Sequence, residues 1–174
     1  ADVIAVTGTN GKTTTVRLIN ESLKTAGYKS GAYGNIGEPL TNAYKVDLDY
    51  IVCEVSSFQL ETTDRFAPYV NVLLNVDKDH LDRHKTVENY IELKKSLFKN
   101  CDNSDCVVLN MADKNCEKIS GEIAGSQTNF NTENGFEIKN NTLYFKSEKT
   151  IKINERLLNY TYTDNILAVA CVLK

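Results

Sequence analysis

The stretch VTGTNGKTTT, residues 6–15, joins an apolar run to a segment with helical periodicity. It contains the Gly-Lys-Thr of a phosphate-binding loop, but Val6 stands where the G-x-x-x-x-G-K-[ST] pattern has its first glycine. Gly8 and Gly11 let the backbone bend so that successive N–H groups point into one concavity, and the following helix adds the positive end of its dipole. The stretch therefore predicts an anion site that binds a nucleoside triphosphate.

Two side chains in this loop have predicted roles of their own. We expect Lys12 to neutralise β- and γ-phosphate charge and the hydroxyl of Thr13 to ligate Mg²⁺. The rest of the predicted nucleotide-binding set is Gly8, Thr9, Asn10, Gly11 and Thr14. The competing interpretation is a glycine-rich turn with an exposed lysine. The coincidence of loop, lysine, hydroxyl and flanking elements favours the nucleotide.

The segments around the loop predict an α/β fold. Continuous apolar runs at 50–55 and 70–76, with another strand at 106–110, are typical of parallel strands covered on both faces. Helical patterns at 13–26, 87–98 and 112–123 alternate with them, so we expect a mostly parallel sheet with helices on both faces. After Gly125, alternating residues with Asn140-Asn141 as a turn predict a small antiparallel β appendage near the C-terminus.

Composition excludes several classes of function. The chain has 174 residues, 41% of them hydrophobic, which fits one globular domain. A net charge of -3 argues against nucleic acid, and the absence of a long apolar run argues against membrane insertion. The five cysteines have no zinc-ribbon spacing and predict reduced, buried thiols in a cytoplasmic protein. ADVIAVTG starts as a strand in progress and NILAVACVLK ends without a cap, which suggests a chain cut from a longer one.

A carboxylate lies near the end of the apolar run YIVCEV, residues 50–55. Glu54 lies inside that run, where an unpaired charge would be costly, so it needs a partner such as a cation. Because the carboxyl ends of parallel strands form one edge, we expect Glu54 to ligate Mg²⁺ beside Thr13, with a structural salt bridge as the alternative. The next residues, SSFQLE, offer polar groups to a substrate, although Ser56 or Ser57 could instead cap the following helix.

Both histidines lie in the segment NVDKDHLDRH. On a helix, His80 and His84 would have the spacing of a zinc pair, but no H-E-x-x-H pattern accompanies them. The favoured interpretation places His80 at the mouth of the site and His84 in solvent.

Taken together, TGTNGKTT, GNIGEP, EVSSFQLE and NVDKDHLDRH, followed by YIELKKSLF, resemble the central domain of the Mur ligases. The resemblance runs from Val3 to about Asn165 and implies that residues 1–174 are the central ATP-binding domain of a three-domain amide ligase, without its N- and C-terminal domains. In that family a substrate carboxylate takes the γ-phosphate of ATP, and an amine attacks the acyl phosphate. GNIG and SSFQLE favour a UDP-muramoyl-peptide substrate, with D-glutamate as the amino acid.

The resemblance also implies residue roles. Lys12 would hold the phosphates, Thr13 and Glu54 one Mg²⁺, and His80 a second Mg²⁺. Lys94, rather than Lys95, matches a carbamylated lysine that contacts that second ion.

Further matches concern the substrate and the adenine. Asn35, Ser56 and Gln59 match positions near the UDP-muramoyl substrate. The family's adenine-contacting H-N-x-x-N reads TYTDN here, so only Asn165 matches, and Thr161 and Tyr162 replace the histidine and the first asparagine. Two alternatives stay open: a folylpolyglutamate synthetase-like ligase, which shares the phosphate loop, and a catalytically idle nucleotide-binding module.

Overall fold

The computed structural model describes residues 1–77, 83, 85–158 and 163–174. Its larger sheet has the order β2-β3-β1-β4-β5-β6, and every pairing in it is parallel. The strands are β1 Asp2–Thr7, β2 Ser30–Gly34, β3 Tyr50–Glu54, β4 Val70–Leu73, β5 Cys106–Leu109 and β6 Ser126–Gln127. The helices of the described part are α1 Lys12–Thr25, α2 Ser57–Thr62, α3 Val87–Lys95, α4 Lys114–Ser120 and α5 Thr163–Val172. Short 3₁₀ segments occupy Leu40–Lys45, Ser96–Phe98 and Glu155–Leu157.

The sheet is buried on both faces, as its continuous apolar strands predict. Along β1, Ile4 and Val6 pack with α1 and α5, whereas Ala5 belongs to a second core with α3 and α4. Successive side chains of a strand point to opposite faces, so both sides of the sheet need an apolar residue. The predicted α/β class with helices on both faces is confirmed.

Helix α1 has a defined beginning and end. Gly11 precedes it with φ 84°, a left-handed conformation, and a β-carbon there would lie 2.6 Å from Asn165 Oδ1. Only glycine fits such a position without strain. At the other end the Gly27 N–H donates to Lys24 O and the Tyr28 N–H to Leu23 O, the two bonds of a Schellman motif. The helical pattern predicted at 13–26 is thus confirmed, with the chain leaving the helix at Gly27.

The antiparallel appendage is also confirmed. It consists of β7 Phe136–Lys139, β8 Thr142–Phe145 and β9 Glu148–Lys152. Asn140 and Asn141 have φ 49° and 57°, the two positive values that a type I′ hairpin turn requires. Phe136 and Leu143 pack into the core shared by α1 and α5, so the appendage is anchored to the domain.

Several boundaries and one strand differ from the sequence prediction. Strand β4 ends at Leu73 instead of residue 76, and α4 covers Lys114–Ser120 instead of residues 112–123. Helix α4 begins at Lys114 because Asp113 caps it by accepting from the Asn115 and Cys116 N–H groups. Strand β2 was not predicted, since SGAYG lacks an apolar run. It forms because Gly34, at φ 106°, lets the strand approach β3 so closely that a β-carbon would lie 2.3 Å from Glu54 O.

Candidate functional site

The phosphate loop lies at the carboxyl edge of the sheet, between β1 and α1. Lys12 folds back over this loop, and its Nζ donates to the carbonyl oxygens of Gly8 and Thr9, each at 2.9 Å. These carbonyls are neutral acceptors, whereas phosphate oxygens carry negative charge and attract the ammonium group more strongly. The ammonium group can therefore exchange these partners for an anion.

The Thr13 hydroxyl and the Glu54 carboxylate are in direct contact. Thr13 Oγ1 donates to Glu54 Oε2 at 2.7 Å, and Asn35 Nδ2 donates to Glu54 Oε1 at 2.9 Å. Glu54 is only 2% exposed, yet both of these hydrogen bonds come from neutral groups. The arrangement places a buried negative charge and a hydroxyl oxygen together beside the phosphate loop, and such hard oxygen donors suit Mg²⁺.

Helix α3 brings Lys94 to the same loop. Lys94 is 1% exposed, and its Nζ donates to Thr7 Oγ1 at 3.1 Å and to Gly8 O at 2.9 Å. One turn earlier, Tyr90 places its hydroxyl 3.2 Å from Thr9 Oγ1. Lys95 points the other way and pairs with Glu122 at the surface. The structure thus places Lys94, and not Lys95, at the site.

Ser56 and Gln59 lie at the start of α2 and bond to each other. Ser56 is the N-cap, and Gln59 Oε1 accepts from the Ser56 N–H at 2.9 Å and from its hydroxyl at 3.0 Å. The capping role considered for Ser56 is therefore confirmed, whereas a substrate contact stays a prediction. Gln59 also lines a pocket of about 170 Å³ beside Glu54. Asn35, the third predicted substrate residue, bonds to the carboxylate of Glu54.

Asn165, at the start of α5, lies against the phosphate loop. It is 5% exposed, and its Oδ1 accepts from Thr15 Oγ1 at 3.2 Å. Its neighbour Asp164 accepts hydrogen bonds from the side-chain amides of Asn110 and Asn131, which fix the first turn of α5. The predicted contact with adenine stays a prediction, and the observed role of Asn165 is to pack against Gly11.

Several predicted residues lie outside the described part. His80, His84, Thr161 and Tyr162 are among them, so the metal role of His80 and the solvated position of His84 stay predictions. Among the described residues, no group of three or more His, Cys, Asp and Glu side chains is arranged to hold a metal ion. A Mg²⁺ site with Thr13 would not require such a group.

The cysteines of the chain are free thiols. Burial, aided by the charge of Glu54, raises the pKa of Cys53 to about 12. Burial likewise raises the pKa of Cys171 to about 12 and that of Cys116 beyond its usual range. Cys101 and Cys106 are half-buried, so the prediction of buried thiols holds for Cys53, Cys116 and Cys171. Although Cys53 lines the pocket beside Glu54, a protonated thiol is a poor nucleophile.

The side-chain-to-backbone contacts at and beside the loop have no signal in the sequence. Asn75, just after β4, bonds to both main-chain groups of Asn10, and Asp113 bonds to the Val76 N–H. Asn75 is part of the quoted NVDKDHLDRH, but nothing in that motif indicates its partner 65 residues away.

No helix of the described part is both long and apolar enough to cross a membrane.

The family model and the curated relatives point to the same family. The model of the Mur ligase middle domain matches residues 6–173. The UDP-N-acetylmuramoylalanine–D-glutamate ligase of Caldanaerobacter subterraneus subsp. tengcongensis is 39% identical over 179 residues, which cover 99% of this chain and 40% of that protein. The chain thus spans about 40% of the length of this curated relative.

Solved structures share the fold. UDP-N-acetylmuramate:L-alanyl-gamma-D-glutamyl-meso-diaminopimelate ligase from Neisseria meningitides superposes with a TM-score of 0.78 at 20% identity, covering 98% of this chain and 60% of that one. MurF ligase from Thermotoga maritima in complex with ADP gives 0.75 at 21% identity, covering 99% and 45%.

Proposed function

The chain belongs to the Mur ligase family, and on that premise we propose that it is the ATP-binding core of an ATP-dependent amide ligase of peptidoglycan precursor synthesis. The reaction joins D-glutamate to UDP-N-acetylmuramoylalanine, the pair of substrates in the name of the relative at 39% identity. Residues 1–174 are proposed to be its central domain, working in the cytoplasm with N- and C-terminal domains of the same protein. The 39% identity to this D-glutamate ligase favours this reaction over a folylpolyglutamate synthetase-like one.

The observation that carries the proposal is the contact between Thr13 Oγ1 and Glu54 Oε2 at 2.7 Å. It joins the hydroxyl that follows the loop lysine to a buried carboxylate from a neighbouring strand. A carboxylate buried with neutral partners is costly, and a divalent cation offsets that cost. Thr13 and Glu54 would therefore hold Mg²⁺, which neutralises phosphate charge when bound.

The proposed reaction has two bond-forming steps. A carboxylate oxygen of the muramoyl substrate attacks the γ-phosphorus of ATP and ADP leaves, which gives an acyl phosphate. The amine of D-glutamate then attacks the acyl carbon, loses a proton and expels phosphate, which leaves the amide. Lys12 contributes positive charge beside the transferred group, where negative charge grows in the transition state.

The residues proposed to contact the nucleotide and the substrate lie at the same edge of the sheet. Residues Gly8 to Thr14 would hold the phosphates, and Asn165, at the start of α5, would contact the adenine. Asn35, Ser56 and Gln59 would contact the muramoyl substrate around the pocket beside Glu54. The capping bonds of Ser56 and Gln59 fix their side chains, so a substrate would meet pre-organised polar groups.

Lys94 is proposed to act as a carbamate. Its neutral amine would add to CO₂ and lose a proton, which converts a cationic side chain into an anionic one. That anion and His80 would hold a second Mg²⁺. The proposal is supported by the burial of Lys94 and by the position of its Nζ, 2.9 Å from the Gly8 carbonyl of the loop.

The test is phosphate release by the full-length protein with ATP, Mg²⁺, UDP-N-acetylmuramoylalanine and a panel of amino acids. Wild-type protein should release phosphate with D-glutamate. Glu54→Gln keeps the shape but removes the ligand charge, so activity should fall more than the ~10–100-fold that losing an outer-shell partner costs. Glu61→Gln is the matched control, because Glu61 pairs with Arg83 at the surface. A folded Glu54→Gln variant with full activity would make Glu54 a structural residue. A wild type with no turnover would refute the proposed reaction and leave the two alternatives, the folylpolyglutamate synthetase-like ligase and the idle nucleotide-binding module.

A further inference from the structure

The segment that follows β4 runs beside the phosphate loop. The Leu74 N–H donates to Thr7 O at 3.1 Å, and the Thr9 N–H donates to Asn75 O at 3.1 Å. The Asp77 N–H then donates to Thr9 Oγ1 at 3.0 Å. The first half of the loop is thus bonded to residues 74–77 and has few ways to move alone.

Asn75 adds a contact that the backbone cannot make. Its Oδ1 accepts from the Asn10 N–H at 2.8 Å, and its Nδ2 donates to Asn10 O at 3.1 Å. One side chain therefore engages both main-chain groups of one loop residue. These two bonds fix the orientation of the peptide groups on either side of Asn10. They thereby also set the direction in which the N–H groups beyond Gly11 point.

The segment that carries Asn75 is itself fixed to α4. The Val76 N–H donates to Asp113 Oδ2 at 3.0 Å, and Val76 O accepts from Asn115 Nδ2 at 2.9 Å. The other oxygen of Asp113 caps α4, accepting from the N–H groups of Asn115 and Cys116. A side chain on a segment held from both sides is a rigid support, because its backbone cannot yield when the loop is pulled.

We propose that Asn75 is a positioning residue that holds the tip of the phosphate loop in its anion-binding conformation. The inference deepens the proposed function and depends on it only for the identity of the anion. Pre-organised loops bind more tightly because less ordering remains to be done on binding. Asn75 therefore contributes to phosphate affinity without touching phosphate.

The first experiment needs no nucleotide. Asn75→Leu removes both side-chain bonds at similar volume, and Asn100→Leu is the matched control, since Asn100 Nδ2 bonds to the Asp64 and Phe66 carbonyls. Amide hydrogen exchange of residues 8–11 should become at least several-fold faster in Asn75→Leu and stay unchanged in Asn100→Leu. Equal exchange in wild type and Asn75→Leu would overturn the proposal, whether or not the protein is a ligase.

The second experiment measures the affinity for ADP by calorimetry on the full-length protein. Each lost hydrogen bond contributes modestly at a half-exposed position, so the Kd should rise about five- to tenfold in Asn75→Leu and not in Asn100→Leu. Asn75→Asp keeps the acceptor for the Asn10 N–H but brings a negative charge to the loop, so it should weaken ADP binding at least as much as Asn75→Leu does. Wild-type affinity in Asn75→Leu, or an equal loss in Asn100→Leu, would refute the positioning role. Failure of wild type to bind ADP would refute the proposed function and leave the exchange result to decide the inference.

Discussion

Lys94 and Lys95 are adjacent in α3, yet only Lys94 should matter for turnover. Lys94 is 1% exposed and contacts the loop, whereas Lys95 pairs with Glu122 at the surface. Consecutive helical residues point ~100° apart, so the two cannot share a site. We therefore expect Lys94→Ala to nearly abolish ligation and Lys95→Ala to leave it almost unchanged.

The size of the effect follows from what Lys94→Ala removes. Three buried methylenes are lost at about 0.8 kcal/mol each, so the free energy of unfolding should fall by about 2–3 kcal/mol. Loss of a pre-organised charged group at a phosphoryl-transfer site costs on the order of 10²–10³ in kcat. Thermal denaturation should show that the variant is folded at the assay temperature. A loss of activity of this size then exceeds what partial unfolding would produce.

The assay is phosphate release at fixed bicarbonate, with and without a short carboxylic acid such as acetate. If a carbamate is the working group, an acid that enters the space left by Lys94→Ala replaces the missing anion and restores part of the activity. Lys95→Ala should show no response to the acid. A silent Lys94→Ala with an inactive Lys95→Ala would move the site by one residue, and two silent variants would refute the carbamate.

Two further predictions concern the loop lysine and the thiols. Lys12→Ala should weaken ATP binding by on the order of 1.5–3 kcal/mol and reduce turnover further, and near wild-type turnover would refute the phosphate-loop assignment. The pKa values of Cys53 and Cys171 are raised to about 12, so these two thiols stay protonated at neutral pH. Their rate of alkylation in the native protein should therefore increase only in strong alkali or on unfolding. Mass spectrometry after labelling at pH 8 checks this, and fast native labelling of Cys53 would contradict its burial.

Local signals sufficed for much of the fold and for part of the site. The turn at Asn140-Asn141 was predictable because asparagine tolerates positive φ, whereas the equivalent turn at Lys146-Ser147, with φ 50° and 66°, carries no such signal. The helical position of Lys94 could be read from its neighbours, but the partners of Asn75 could not. A side chain that bonds to a distant backbone leaves no periodicity in the sequence, since any loop residue offers the same N–H and C=O.

The missing first glycine of the phosphate loop has a structural explanation. Val6, at that position, is a fully buried strand residue, paired with Glu54 on one side and Val72 on the other, so β1 continues to Thr7 and the loop that follows is short. A short loop has fewer of its own residues to define its shape, and its conformation is instead held by contacts from other elements. Lys94 of α3, Asn75 after β4 and Asn165 of α5 each contact the loop. Substituting glycine for Val6 would therefore not lengthen the loop into the common pattern; it would weaken a central strand and leave those external contacts in place.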